Sequence, residues 1–175
     1  MSDHPVIRWK EKGEIRSARW RSERGVPPPK RVVVADDSMK ADQAYQLACE
    51  GTGLLWRGDF QNARQLLQAL ARRVDRNAPK AGTSPAETFH LYRQAQSQRA
   101  RVLGMLLLPF DADHTVPLRR APAVREACAE AYGSADERYV ASLRELLGII
   151  GAHEWRKHGI EIPTLGQRIH PHYGV

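Results

Sequence analysis

Between Asp37 and Gly159 the apolar positions recur mainly at helical spacing. Asp37 or Ser38 is placed to cap a helix running to about Trp56, with Ala41, Ala44, Tyr45, Ala48 and Cys49 on one stripe. Gly51 and Gly53 weaken this helix near Leu54, Leu55 and Trp56. Gly58-Asp59 supplies a stop and a new N-cap, after which Phe60, Ala63, Leu66, Leu67, Leu70 and Val74 define a second apolar stripe. Almost nothing separates the two segments, so they are predicted to form an antiparallel helical hairpin.

Ser84-Pro85-Ala86-Glu87 combines a capping box with proline at the first helical position. The helix it starts is predicted to be long, passing Phe89, Tyr92, Val102 and Leu108 before Pro109 ends it. Pro122 opens a short helix to Tyr132 that closes at Gly133. Ser134-Ala135-Asp136-Glu137 is a second capping box, followed by Val140, Leu143, Leu146, Leu147 and Ile150, with Gly159 as the stop. Before these segments, Arg31-Val32-Val33-Val34-Ala35 reads as one strand or as an extended segment laid on the body. After them, residues 160–175 hold Pro163, Gly166, Pro171 and Gly174 and read as an extended tail. The expected architecture is all-α, a bundle of about five helices at 32–159. It is preceded by an arm at 1–31 that ends in Pro27-Pro28-Pro29 and is followed by the tail.

Charge sharpens the picture of the arm. Residues 1–31 hold nine Lys and Arg against four Asp and Glu, which accounts for +5 of the formal +7 of the 175-residue chain. The remaining residues, with eighteen bases and sixteen acids, are nearly neutral. A pI near 9.8 favours anionic partners, nucleic acid first. At 42% hydrophobic and 27% charged residues the chain can bury a core and does not read as disordered. Its longest apolar run, 105–110, is far short of the ~20 residues of a membrane-spanning helix. Charges stand where a signal peptide would be apolar, and Cys49 and Cys128 form no disulfide framework, which suits a reducing cytoplasm.

The arm interleaves Trp9 and Trp20 with Arg16, Arg19, Arg21 and Arg24. Indoles stack on bases and guanidinium groups bond phosphate, so these six residues are candidate contacts for RNA or another nucleic acid. The competing reading is that both tryptophans pack the arm onto the body while the arginines stay solvated. His170, His172 and Tyr173 in the tail form a second candidate group, for substrate or for a neighbouring domain. His153 and His158 stand five apart, roughly 140° from each other around a helix, which does not fit the one-faced histidine pair of a zinc protease. Asp36-Asp37, Asp111 and Asp113 carry no supporting motif for a metal or nucleotide. The sequence holds no glycine-rich phosphate loop and no nucleophile elbow, so no catalytic, cofactor or metal residue is assigned.

Residues 21–31, with Gly25-Val26-Pro27-Pro28-Pro29 at their centre, and residues 47–73, 151–157 and 168–175 together resemble the N-terminal portion of a bacterial class I methyltransferase family of the small-domain group. The resemblance implies S-adenosylmethionine as the cofactor of a full-length parent, though none for these residues. It also implies a helical N-terminal domain that recognises the methylation substrate, protein or nucleic acid, and partners the catalytic domain. In that family the segment from His170 to Val175 leads into the catalytic domain. The resemblance thus implies a non-catalytic substrate-recognition domain, and the alternative is a stand-alone nucleic-acid-binding module using the Arg/Trp arm.

Overall fold

A computed structural model describes residues 4–171 and 173, and among them the fold is mixed α/β rather than all-α. Six strands form one sheet in the order β1-β2-β6-β5-β4-β3. These are β1 (Val6–Glu11), β2 (Glu14–Trp20), β3 (Arg31–Ala35), β4 (Thr52–Trp56), β5 (Leu106–Phe110) and β6 (Tyr139–Ser142). The helices are α1 (Ala41–Cys49), α2 (Phe60–Arg76), α3 (Pro85–Leu103), α4 (Arg125–Tyr132) and α5 (Leu143–His158). Strands β3, β4 and β5 run parallel, β6 opposes β5, and β2 runs parallel to β6.

The helical bundle expected from the sequence is therefore corrected at four places. Leu54, Leu55 and Trp56 are not the end of a helix: α1 stops at Cys49, Gly51 turns with φ +80°, and β4 follows. Strand β4 separates α1 from α2, so the predicted hairpin of adjacent helices is replaced by a strand–helix alternation. Leu106, Leu107 and Leu108 do not continue α3, which ends at Leu103, but form β5. Val140 lies in β6, and the cap of α5 is Ser142, whose hydroxyl accepts the Glu145 amide at 3.1 Å. The fourth correction is the N-terminal arm. Its residues 6–20 are a β-hairpin built into the sheet, joined by Lys12 and Gly13, both at positive φ, a backbone path that suits a two-residue hairpin turn.

The misread runs share a physical cause. β4 and β5 are covered on both faces, so they read as continuous apolar stretches without the alternation that marks a half-exposed strand. Leu54, Trp56, Leu106, Leu108, Phe110, Tyr139 and Ala141 face the helices and pack with Phe60, Ala63, Leu70, Leu143 and Ile149. Leu55 and Leu107 point the opposite way and meet Ile7, Trp20 and Val140 in a second core on the concave side. The edge strands β1 and β3 draw close enough for the sheet to curl nearly shut. Arg57, just after β4, spans that gap and holds both carboxylate oxygens of Glu11 at 3.0 and 2.9 Å.

Several helix signals held. The stripe Phe60, Ala63, Leu66, Leu67, Leu70 and Val74 is the buried face of α2, capped by Asp59, whose carboxylate accepts the Gln61 amide at 2.8 Å. Ser84 caps α3 and Gly133 closes α4. The proline run is packed against the sheet: a Cβ at Gly53 would stand 3.1 Å from Pro29 and 2.9 Å from Leu107, so only glycine fits there without displacement. The tail pairs with itself as β7 (Ile160–Ile162) and β8 (Gln167–Ile169). No helix among the described residues is long and apolar enough to cross a membrane.

Asp59 also knits the sheet to its surroundings. Buried, it accepts Arg120 at 2.7 Å and pairs with Arg119 at 3.2 Å, and the Arg120 hydrogen bond is the main reason its carboxyl lies below the usual aspartate range. A lowered folded value means the contribution is complete at neutral pH and fades as pH falls below about 4 toward the folded value. Asp59→Asn should therefore lower the urea midpoint at pH 7 and make progressively less difference as pH falls below about 4. A gap between the two proteins that stayed constant down to about pH 2 would contradict this role.

Candidate nucleic-acid interface

The strand directions place defined residues at each end of the curled sheet. At one end lie Glu11, the start of β2 with Arg16, the start of β6 next to Arg138, and the chain just past β4 and β5, with Arg57 and Asp111. At the other end lie Trp20, Ser142 and Met105. An arginine-lined cleft occupies each end.

The first cleft, of about 500 Å³, is lined by Trp9, Arg16, Arg57, Asp111 and Arg138 above a floor of Ala18, Pro109 and Val140. Trp9 and Arg16 are direct cross-strand partners in the β1–β2 ladder. Glu11 organises this end: it accepts the Trp9 indole N–H at 3.1 Å, holds Arg57 in a fork and lies 3.7 Å from Arg16. The Arg57 hydrogen bonds hold the Glu11 carboxyl below its usual range. The Arg57 guanidinium stands 6.0 Å from the Trp9 ring centre, at cation–π range, and Arg138 lies 3.5 Å from Asp111.

The second cleft, of about 510 Å³, gathers Trp20, Arg24, Arg101, Arg144 and Tyr173 with Ser22, Ser97 and Ser142. Arg24, Arg101 and Arg144 form no ion pair with a carboxylate among the described residues. Burial, then the neighbouring Arg24 and Arg99 cations, push the Arg144 guanidinium below its ordinary value. Glu145 lines the same cleft but is already engaged, accepting the Tyr132 hydroxyl at 2.5 Å and the Glu23 amide at 3.0 Å. Three guanidinium groups beside the one Glu145 carboxylate leave the cleft net positive, which suits it to an anion.

The six arm residues thus divide into three pairs. Trp9 and Arg16 line the first cleft, and Trp20 and Arg24 the second. Trp20 is buried, its indole N–H donating to the Val26 carbonyl at 2.7 Å, so it serves as a wall rather than an open stacking surface. Arg19 lies 3.7 Å from Glu137. Arg21 is buried, its guanidinium 5.1 Å from the Tyr132 ring and 4.9 Å from the Tyr139 ring. In the tail, Tyr173 packs over Gly148 in the second cleft, and burial raises its phenol above the ordinary value. His170 hydrogen-bonds through Nδ1 to the Arg156 carbonyl at the end of α5, and His172 lies outside the described residues.

Arg57, Arg101, Arg138 and Arg144 were not legible as site residues, because each is isolated in sequence and reaches a cleft only through strand pairing or helix packing. His114 was equally silent. It is buried with its ring nitrogens 2.8 Å from the Tyr139 hydroxyl and 2.8 Å from the Gly133 carbonyl. The carbonyl can only accept, so Nε2 carries the proton donated to Gly133. Cys128 is buried nearby, its thiol pushed up to about 11 by burial, which makes it a poor nucleophile. His153 is taken up by Glu130 at 2.8 Å, Asp111 by Arg138 and Asp113 by Arg125 at 2.9 Å. Asp37 accepts the Asp59 amide at 2.9 Å and Asn62 at 3.0 Å, fixing the start of α2.

No protein-family model matches this sequence, and no curated protein matches it either.

Proposed function

We propose that the chain is a non-catalytic module that binds nucleic acid through its phosphates. The observation that carries this reading is the convergence of Arg24, Arg101 and Arg144 on one cleft without a carboxylate partner among the described residues. Guanidinium groups bond phosphate oxygens through a planar fork, and the serine hydroxyls beside them add neutral donors. The formal charge of +7 supplies long-range attraction to the same partner.

The resemblance of residues 21–31, 47–73, 151–157 and 168–175 to the start of small-domain methyltransferases gives this module a context. In that context it recognises the substrate of an S-adenosylmethionine-dependent enzyme and presents it to a separate catalytic domain. The parent gene provides a direct check. A strand followed by a glycine-rich turn encoded after Val175 is the expected finding, and an unrelated continuation would remove the methyltransferase context while leaving the nucleic-acid reading standing.

Binding itself is tested by fluorescence anisotropy of a labelled oligouridylate titrated with the 175-residue chain across a salt series. Displacement of counterions from phosphates predicts log affinity falling linearly with log salt. Affinity that did not change with salt, or no binding at low salt, would overturn the reading.

A further inference from the structure

The two clefts differ in chemistry, and the difference bears on the form of nucleic acid. The second cleft offers cations and hydroxyls, which meet phosphates of any nucleic acid. The first offers a half-buried indole, an apolar floor and three guanidinium groups, all within one concave mouth. Its volume of about 500 Å³ falls within the ordinary range for small-ligand clefts, ~300–1,000 Å³. Each arginine has a carboxylate beside it: Glu11 forks Arg57 beside the Trp9 ring, Glu14 lies 3.4 Å from Arg16 and Asp111 lies 3.5 Å from Arg138. The Arg16 and Arg138 pairs are exposed and therefore weak, so both guanidinium groups can turn to a phosphate.

We infer that the Trp9 mouth receives an unpaired base, stacked on the indole with its phosphate toward Arg16 and Arg138, so that the module selects single-stranded over duplex nucleic acid. This rests on the nucleic-acid reading above. A base inside a duplex is already stacked on both faces and cannot enter a concave mouth, whereas a single-stranded base offers a free π-face. Trp9 is suited to the role because the ladder fixes its backbone and Glu11 fixes its N–H, leaving little ordering to be done on binding.

The test uses the 175-residue chain carrying Trp155→Phe, which removes an exposed indole, while Trp20 and Trp56 are buried. Oligouridylate should quench the remaining tryptophan fluorescence, and a hairpin duplex of equal charge should not. Trp9→Ala should weaken oligouridylate binding about tenfold and leave duplex binding unchanged, with Trp9→Phe retaining most of the affinity. Arg138→Gln, which changes an exposed side chain, gives a second measure should Trp9→Ala fail to fold, and it too should weaken the single strand more than the duplex. Equal affinity for both forms, insensitive to Trp9→Ala and Arg138→Gln, would overturn the base-stacking inference. If Arg24→Gln, Arg101→Gln and Arg144→Gln together still weakened binding about a hundredfold in that case, the phosphate reading would survive. If that triple variant bound like the parent chain, the phosphate reading itself would fail.

Discussion

Exchanging Arg24, Arg101 and Arg144 together for glutamine should weaken oligouridylate binding about a hundredfold at roughly 0.1 M salt. Each phosphate contact with a single strand contributes a slope of about 0.7 in log affinity against log salt. Three lost contacts therefore flatten the slope by about 2, and one decade of salt below ~1 M converts that into about two orders of magnitude. Glutamine is shorter than arginine but keeps a polar, hydrogen-bonding end, so the change removes the charge without placing an apolar group in the cleft. Folding should survive, because Arg24 and Arg101 are exposed and replacing Arg144 removes a guanidinium group disfavoured first by burial and then by its repulsion from Arg24 and Arg99. The same replacement at Arg64, Arg72 and Arg76 of α2, none of which lines either cleft, should cost far less affinity. Equal losses in the two triple variants would mean that binding follows net charge alone rather than the cleft.

The second large effect concerns the concave core. Leu107→Ala should lower folding stability by about 2–5 kcal/mol, measured by urea unfolding, a large share of the ~5–15 kcal/mol typical of a domain. Leu107 is wholly buried and packs with Ile7, Leu55 and Val140. The same change at exposed Leu165 should be nearly neutral. Combined with Ile7→Val, Leu107→Ala should also show non-additive energetics, because the two side chains share one core although a hundred positions separate them. Strict additivity would place Ile7 outside that core and leave the N-terminal hairpin outside the sheet.

At that hairpin the charge distribution was legible while its spatial arrangement was not. The excess of bases at residues 1–31 is a property of composition and holds in any fold. Its division into two clefts follows from β2, where Arg16 and Trp20 share one face by the two-residue alternation but lie toward opposite ends of the sheet because four positions separate them along the strand. The alternation at Ile7, Trp9 and Glu11, with Gly13 at the turn, is the one local signal that points to this hairpin, and the density of arginine around it obscures the pattern.

What the sequence determined by itself is local. The buried stripe of α2, the caps at Asp59 and Ser84 and the stops at Gly133 and Gly159 depend on residues within one or a few helical turns of one another, and the charge asymmetry is composition alone. The tertiary structure alone decided that Leu54 to Trp56 and Leu106 to Phe110 are strands, because a run covered on both faces has no period to distinguish it from a buried helix. It alone decided that Arg24, Arg101 and Arg144 share a cleft, and that Trp9 faces Arg57 and Arg138. Strand pairing joins residues far apart in the chain, and the energy that fixes it lies in contacts no local window contains.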